Sequence, residues 1–117
     1  MEDHALKYDP EESGSKICEV LQILKTKWAF LVLDELLKGP QRFNQLQRNA
    51  SVIKTQSLTD TLRHLERMGL VNREVFPTVP VTVKYSLTEK GADFQLALKE
   101  MERWVDKWGG RNPASAE

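Results

Sequence analysis

The residues of this chain best suited to a chemical role are polar side chains between positions 55 and 63, which could form hydrogen bonds with nucleic-acid bases. They are Thr55, Gln56, Ser57, Thr59, Asp60 and Arg63. A glutamine amide can pair with adenine, and a guanidinium with guanine, through two hydrogen bonds that discriminate between bases by about 1–3 kcal/mol. Because Asp60 would repel phosphate, we expect it to accept a hydrogen bond from a cytosine amino group or to orient Arg63.

Basic residues surround this polar stretch, although the whole chain of 117 residues has a formal net charge of zero. Residues 41–73 carry six basic side chains against two acidic ones, a net charge of +4. Residues 1–15 carry five acidic side chains against one basic one, a net charge of −4. Because phosphate binding depends on local charge, we expect backbone contacts from residues flanking the stretch: Arg42, Asn44, Lys54, Arg73 and Lys84.

An amphipathic helix over residues 55–68 is predicted to present the polar side chains. Its apolar residues recur at helical spacing on the opposite face, and these are Leu58, Leu62, Leu65 and Met68. Three shorter helices are predicted before it, over residues 16–25, 28–36 and 43–49. Strands are predicted over residues 70–76 and 81–87, joined by a proline-edged turn at 77–80. This order predicts a mainly α fold with a small β-hairpin, a winged helix-turn-helix that presents one helix to a DNA major groove.

The last predicted helix follows Thr88, which is a natural N-cap, and it carries an apolar stripe over four turns. The stripe consists of Phe94, Ala97, Leu98, Met101, Trp104, Val105 and Trp108. Two tryptophans in the last turns are costly to leave in water, so the stripe predicts a seam between two copies of the chain. The alternative is that the helix folds back on the core of its own protomer.

The length of the chain supports one domain over residues 16–110, preceded by a flexible acidic arm at 1–15 and followed by a tail at 111–117. No apolar stretch approaches the ~20 residues that span a bilayer. The acidic, polar start is unlike a secretory signal, so we expect a cytoplasmic protein without membrane contact. A single cysteine, Cys18, excludes an internal disulfide and a cysteine-based metal cage.

Enzymatic chemistry is not indicated by the sequence. His4 and His64 are far apart and have no carboxylate or cysteine partners at metal-ligand spacing. There is also no Ser-His-Asp arrangement, phosphate-binding loop or dinucleotide fingerprint. We therefore expect a binding protein without a metal or other cofactor, and not an enzyme.

Several motifs, in their order and spacing, resemble the HxlR family of bacterial winged-helix transcriptional regulators over about residues 18–108. The family has a Gly-Pro-x-Arg-Phe-x-x-Leu motif, and here residues 39–46 match it. Its recognition-helix motif, Leu-Thr-x-x-Leu-Arg-x-Leu-Glu, matches residues 58–66. The resemblance extends to Cys18, to Lys27-Trp28, to residues 69–73, to the 77–80 turn and to residues 85–91.

The resemblance implies a homodimer that binds a palindromic operator and represses or activates nearby genes. It implies that the first and last helices pack across the two-fold axis through Ile17, Leu21, Leu98, Met101, Trp104, Val105 and Trp108. Some family members sense electrophiles or oxidants through the N-terminal cysteine, which is Cys18 here. Lys16 and the helix N-terminus would favour a thiolate and Glu19 would oppose it. The alternative is that Cys18 is a small structural hydrophobe.

This chain departs from the family pattern at two places that bear on DNA contacts. Lys54 stands where the family often has a helix-capping serine, so the cap is expected to fall to Thr55. Val81-Thr82 replaces the usual Pro-Arg of the wing, and Lys84 is expected to substitute in part. Two other interpretations stay open: a winged helix used for protein contact, and an apolar pocket for a small-molecule effector lined by Trp28, Phe30 and Trp104.

Overall fold

The structure is a computed structural model, and it describes residues 16–109. This part of the protein consists of five helices and three strands. The helices are α1 (Lys16–Ile23), α2 (Ala29–Leu36), α3 (Phe43–Asn49), α4 (Thr55–Arg67) and α5 (Glu89–Trp108). The strands are β1 (Gln41–Arg42), β2 (Val71–Phe76) and β3 (Thr82–Leu87). The winged helix-turn-helix predicted from the sequence is confirmed, whereas the predicted arm and tail lie outside the described residues. None of the described helices combines the length and apolarity needed to cross a bilayer.

The sheet has three antiparallel strands in the order β1-β3-β2, where the sequence predicted only a hairpin. In β1, Gln41 pairs with Tyr85 and Arg42 pairs with Lys84. A strand of two residues is too short to show an alternating pattern, so its formation depends on the neighbouring edge of β3. The pairing joins the start of α3 to the wing.

The core lies between α2, α3, α4 and the inner face of the sheet. Its largest fully buried apolar side chains come from these three helices, from the segments on either side of α4, and from α5: Leu33, Leu36, Leu46, Ile53, Leu58, Leu62, Leu65, Leu70 and Leu98. The predicted stripe of α4 is confirmed, because its leucines are buried and Met68 packs against them. Burying each leucine contributes roughly 1.5–3 kcal/mol to folding.

The prediction that Leu98 belongs to the dimer seam is wrong. Its side chain is 0% exposed within a single protomer, so it belongs to the core and cannot meet a second copy. The preceding turn buries Gln95, whose Nε2 donates to Asp34 Oδ1 of α2 at 3.0 Å. The first half of the last helix therefore packs on the core of its own protomer, which was one of the two alternatives, and its second half stays exposed.

The end of α4 and the start of α5 are joined by direct hydrogen bonds. Gly69 ends α4 with φ +80°, a conformation that favours glycine. Thr88 caps α5 as predicted, because its Oγ1 accepts from Gly91 N at 3.0 Å. The same hydroxyl donates to Gly69 O at 2.6 Å, and Lys90 Nζ donates to Met68 O at 3.0 Å. The two helices thus share one hydrogen-bonded corner.

A buried polar network positions α3 against α2. Gln41 Nε2 donates to the Glu35 backbone oxygen at 2.9 Å and to Glu35 Oε2 at 3.2 Å. Asn49 Nδ2, at the end of α3, donates to Gln41 Oε1 at 3.0 Å. Lys38 pairs with Glu35 at 3.1 Å. Because buried polar groups are costly unless they are bonded, this network favours one orientation of α3.

Candidate nucleic-acid interface

The exposed face of α4 holds the polar residues that the sequence predicted to contact bases. Gln56 Nε2 donates to Asp60 Oδ1 at 3.0 Å, so Asp60 holds Gln56, whereas the sequence had predicted that it accepts from a cytosine amino group or orients Arg63. Thr59 donates to the Thr55 backbone oxygen of its own helix at 3.0 Å. Arg63 is exposed and makes no hydrogen bond or ion pair with any residue in the described range. Its guanidinium is therefore available to an external partner.

A cleft between α4 and the sheet brings two of the predicted cations together. Arg63 and Thr59 line it from α4, and Arg73 lines it from β2. The other lining residues are Phe43, Glu66, Val83 and Tyr85, around a volume of about 470 Å³. The cleft thus has a guanidinium on the helix side and another on the sheet side, with Glu66 as its acidic member.

A second groove follows the turn between α3 and α4. Asn44, Lys54 and Thr55, all predicted from the sequence, line it together with Gln47, Arg48, Ser51 and Ile53. Gln47 donates its side-chain amide to Thr55 Oγ1, which joins the two helices. Arg48 was not among the predicted contacts, although its position in the last turn of α3 and its charge could have indicated it.

The first turn of α4 differs from its prediction. Lys54, and not Thr55, occupies the N-cap position, and no side chain caps the helix. Thr55 is the first helical residue, with Gln56 and the half-buried Ser57 after it. The first backbone N–H groups of α4 therefore lack a side-chain acceptor, which is the arrangement that favours a phosphate at a helix N-terminus.

Lys84 and Arg73 lie on opposite faces of the sheet. Lys84 pairs across the strands with Glu74 and with Arg42, whereas Arg73 pairs with Tyr85, so the period-two pleat separates the two groups. Lys84 Nζ also lies 5.7 Å from the centre of the Phe76 ring. The structure therefore brings Arg73 to the cleft beside α4 and places Lys84 with Arg42 on the other side.

The cations of the candidate interface form no ion pairs within the residues that the structure describes. The ion pairs recorded within residues 16–109 lie on α2 and α5 and involve Lys38, Lys99 and Arg103. Seven basic residues between positions 42 and 84 make no ion pair within that range: Arg42, Arg48, Lys54, Arg63, Arg67, Arg73 and Lys84. A surface of this kind attracts phosphate more strongly than the zero net charge of the chain would indicate.

The wing has no charged residue from position 75 to position 83. Its tip, Val79, is 100% exposed. Thr78 stabilises the loop, because its Oγ1 donates to Pro80 O at 2.7 Å and lies 3.2 Å from Thr82 Oγ1. Pro80 and Val81 line a third cleft, together with Arg42, Phe43, Asn44, Thr82 and Val83. The wing therefore presents apolar side chains at the place where the family pattern has an arginine.

The residues expected at a seam are all exposed except Leu98, and Val20 of α1 and Leu96 of α5 are exposed as well. The exposed members are Ile17, Leu21, Met101, Trp104, Val105 and Trp108. Cys18 lies between Ile17 and Leu21 along α1, yet its side chain is 0% exposed. Of the predicted effector pocket, Trp28 and Phe30 pack against the core, whereas Trp104 is 66% exposed.

Comparisons with known proteins agree with this architecture. The sequence profile of the HxlR-like helix-turn-helix family matches residues 23–113. The HTH-type transcriptional regulator sll1512 of Synechocystis is 40% identical over 103 residues, which are 86% of this chain and 76% of the relative. The HTH-type transcriptional regulator YodB of Bacillus subtilis is 33% identical over 99 residues, 81% of this chain and 88% of the relative.

Solved structures of two regulators share the fold. The reduced form of YodB gives a TM-score of 0.73 at 32% identity, covering 84% of this chain and 97% of that one. The diamide-treated form gives 0.69 at 33% identity, covering 83% and 97%. The redox regulator HypR gives 0.76 in its reduced form, at 32% identity and covering 88% and 100%. Its oxidized form gives 0.72, at 33% identity and covering 80% and 96%.

The resemblance inferred from the motifs is therefore confirmed at the level of the family. The profile covers most of the chain, and the relatives are transcriptional regulators with the same helix-turn-helix. The protein belongs to the HxlR-like helix-turn-helix family of transcriptional regulators.

Proposed function

We propose that two copies of this chain bind a palindromic operator, with one α4 in the major groove of each half-site. The observation that carries the proposal is the pair Arg63 and Arg73, which face one cleft beside the polar surface of α4 and are not paired with acidic groups in the described residues. Half-sites should lie about one helical turn apart, or a multiple of it. Affinity should fall steeply with salt.

The proposed roles of the site residues follow from their positions. Gln56, Ser57, Thr59 and Arg63 face the base edges, with Asp60 holding Gln56. Phosphate contacts come from Lys54 and the first turn of α4 at Thr55, from Asn44 and Arg42 beside α3, and from Arg73. Arg48 joins this set because it lines the same groove as Lys54. Lys84 would reach DNA only from the face that it shares with Arg42.

Arg63→Ala tests the proposed base contact. We expect operator affinity to fall at least about 30-fold, because a two-point contact to a base is worth about 1–3 kcal/mol and the dimer loses one in each half-site, and we expect relaxed preference at one base pair of each half-site. The measurement is a fluorescence-anisotropy titration of the selected operator and of single-base variants at fixed salt.

Arg103→Ala is the matched control, since Arg103 is an exposed arginine of α5 that pairs with Glu100 at 2.8 Å. It should bind the operator like the wild type. Equal affinity of Arg63→Ala and the wild type would contradict the DNA proposal and favour the rival function, a winged helix used for contact with another protein. In that case Arg63→Ala would leave partner binding intact.

Val79→Lys tests whether the wing contacts the DNA backbone. A lysine at the fully exposed tip would add one phosphate contact per wing. The slope of log affinity against log salt should therefore become steeper by roughly 1.8 for two wings, with higher affinity at low salt. Leu96→Lys, which adds the same charge on the exposed side of α5, should leave the slope unchanged. An unchanged slope for Val79→Lys would show that the wing stays away from the DNA backbone.

The proposed signal is oxidation or electrophilic modification of Cys18. Support comes from similarity to YodB, solved in reduced and diamide-treated forms, and to HypR, a redox regulator solved in reduced and oxidized forms. Because the chain has one cysteine, any disulfide must join two subunits or a subunit and a small thiol. The side chain is buried in the protomer, so its reaction requires α1 to open.

Cys18→Ser tests this signal. We expect the variant to bind the operator with wild-type affinity and to lose any change in affinity caused by diamide or a quinone. The readout is operator binding with and without each reagent, followed by reduction with excess dithiol to show reversibility after diamide. A variant that still responds would make Cys18 structural, and another site would then carry the signal.

A further inference from the structure

His64 is the one histidine in the described residues, and it lies on the core side of α4, away from the face that carries Arg63. Its side chain is 7% exposed. Its Nε2 lies 2.7 Å from the backbone oxygen of Gln22, forty-two positions earlier in the chain. Because a carbonyl oxygen only accepts, Nε2 carries the hydrogen and donates it to α1.

The acceptor belongs to the last turn of α1. Gln22 lies one turn after Cys18 on the same helix, and the residues just before them, Ile17 and Leu21, face outward. The Gln22 carbonyl also accepts from Lys25 N at 3.4 Å, a longer contact that ends the helix. The short bond from His64 therefore connects the end of α1 directly to the recognition helix, with partners that are distant in sequence.

The same end of α4 is also held by α5. The carbonyl oxygens of Met68 and Gly69, just after α4, accept from the side chains of Lys90 and Thr88 at 3.0 Å and 2.6 Å. The C-terminal end of α4 is thus hydrogen-bonded to both helices that carry the exposed apolar faces, through His64 in its last turn and through the carbonyls of the two residues that follow it. A displacement of α1 or α5 has to move α4 or break one of these bonds.

We infer that His64 is a positioning residue that couples the placement of α1 to the placement of α4, and thereby sets the half-site spacing that the dimer accepts. The inference rests on the proposed function, in which α1 and α5 form the seam. One base pair changes the distance between half-sites by about 3.4 Å and rotates one against the other by roughly a tenth of a turn. A dimer whose two α4 helices are held by the seam should bind poorly to half-sites shifted by one base pair. A dimer whose α4 helices are released from α1 should bind them nearly as well as the original spacing.

The test compares wild type, His64→Leu and His64→Gln on a DNA library in which the half-site spacing varies one base pair at a time. Leucine fills the site but cannot donate, whereas the glutamine amide can place a donor near the position of Nε2. We expect His64→Leu to lose discrimination against a one-base-pair shift by about tenfold. Non-specific DNA affinity should stay the same, and His64→Gln should restore at least part of the discrimination.

A second readout needs no DNA. Since Cys18 is the sole cysteine, its rate of reaction with Ellman's reagent reports how firmly α1 is held. We expect the rate to rise several-fold in His64→Leu and to return toward the wild-type value in His64→Gln. Thr61→Val, which alters another buried polar residue of α4, controls for a general loss of core stability and should change neither the labelling rate nor the spacing preference.

The outcomes separate the inference from the proposed function. Wild-type labelling of Cys18 in His64→Leu would overturn the coupling, whatever the DNA result. Faster labelling with unchanged spacing preference would also overturn it, because α1 would then be released without effect on α4. If the wild type selects no palindrome, the proposed function fails, and the labelling experiment still decides whether His64 holds α1.

Discussion

Trp104→Glu should convert the proposed dimer to a monomer and lower its affinity for a palindromic site at least about 100-fold. Trp104 is 66% exposed in one protomer and lies in the exposed stripe with Met101, Val105 and Trp108. A glutamate buried from each copy would cost several kcal/mol, and 4.1 kcal/mol is already a 1,000-fold change in a dissociation constant. Without the dimer, the second half-site no longer gains from high effective concentration.

The measurements are sedimentation equilibrium and an operator titration at matched protein concentrations. Leu96→Glu is the control, because Leu96 is 65% exposed on the same helix but lies roughly a third of a turn from the middle of the stripe. It should remain dimeric and bind normally. A dimeric Trp104→Glu protein with normal operator affinity would contradict the proposed seam and require another interface.

Gly91→Ala should destabilise the protein by about 2 kcal/mol, although alanine is the better helix former. Helix propensity alone would favour alanine by about 1 kcal/mol. In this fold, however, a Cβ at position 91 would lie 2.1 Å from the backbone oxygen of Leu70, and overpacking against backbone costs up to about 3 kcal/mol. Because Thr88 N donates to that same Leu70 oxygen at 3.0 Å, the clash would also disturb the corner between α4 and α5.

Thermal unfolding at one fixed protein concentration measures this effect. For a domain of this size, 2 kcal/mol corresponds to a fall in Tm of roughly 10 °C. Asp93→Ala, an exposed position in the same turn, should change the stability by no more than about 0.5 kcal/mol. An increase in Tm for Gly91→Ala would show that Gly91 lies farther from the Leu70 backbone than the structure places it.

The elements that could be predicted from the sequence are those whose apolar residues repeat with a clear period. The stripe of α4 repeats over three turns, so the side of the helix that faces outward followed directly from it. The two long strands were predicted because β-branched and aromatic residues lie on both sides of a proline-edged turn. Thr88 also behaves as expected, since an N-cap is a local feature that depends on few distant contacts.

Features that depend on contacts between distant segments were not predictable. Strand β1 forms because it pairs with β3, and its two residues are too few to show a periodic pattern of apolar residues. Leu98 and Trp104 belong to one apolar stripe in the sequence, and only the position of α2 decides that Leu98 is buried and Trp104 is not. His64 and Gln95 are polar residues on buried faces, and their partners are 42 and 61 positions away.

The sequence predicted which residues belong to the candidate site, but it predicted only in part where they lie relative to one another. Charge and residue type indicated Arg63 and Arg73, and the structure brings them to one cleft. The strand register, which depends on the wing turn, places Lys84 on the other face of the sheet. Asp60 has two plausible neighbours on α4, and only the rotamers show that it holds Gln56.

The central claim is that the exposed face of α4 reads DNA as part of a symmetric dimer. Selection from a random double-stranded library at about 0.15 M salt, where the Debye length is about 8 Å, tests it most directly. We predict an enriched palindrome whose half-sites are centred about one helical turn apart, or a multiple of it, and its loss with Arg63→Ala. Enrichment of no sequence, or of a single site without two-fold symmetry, would contradict the claim.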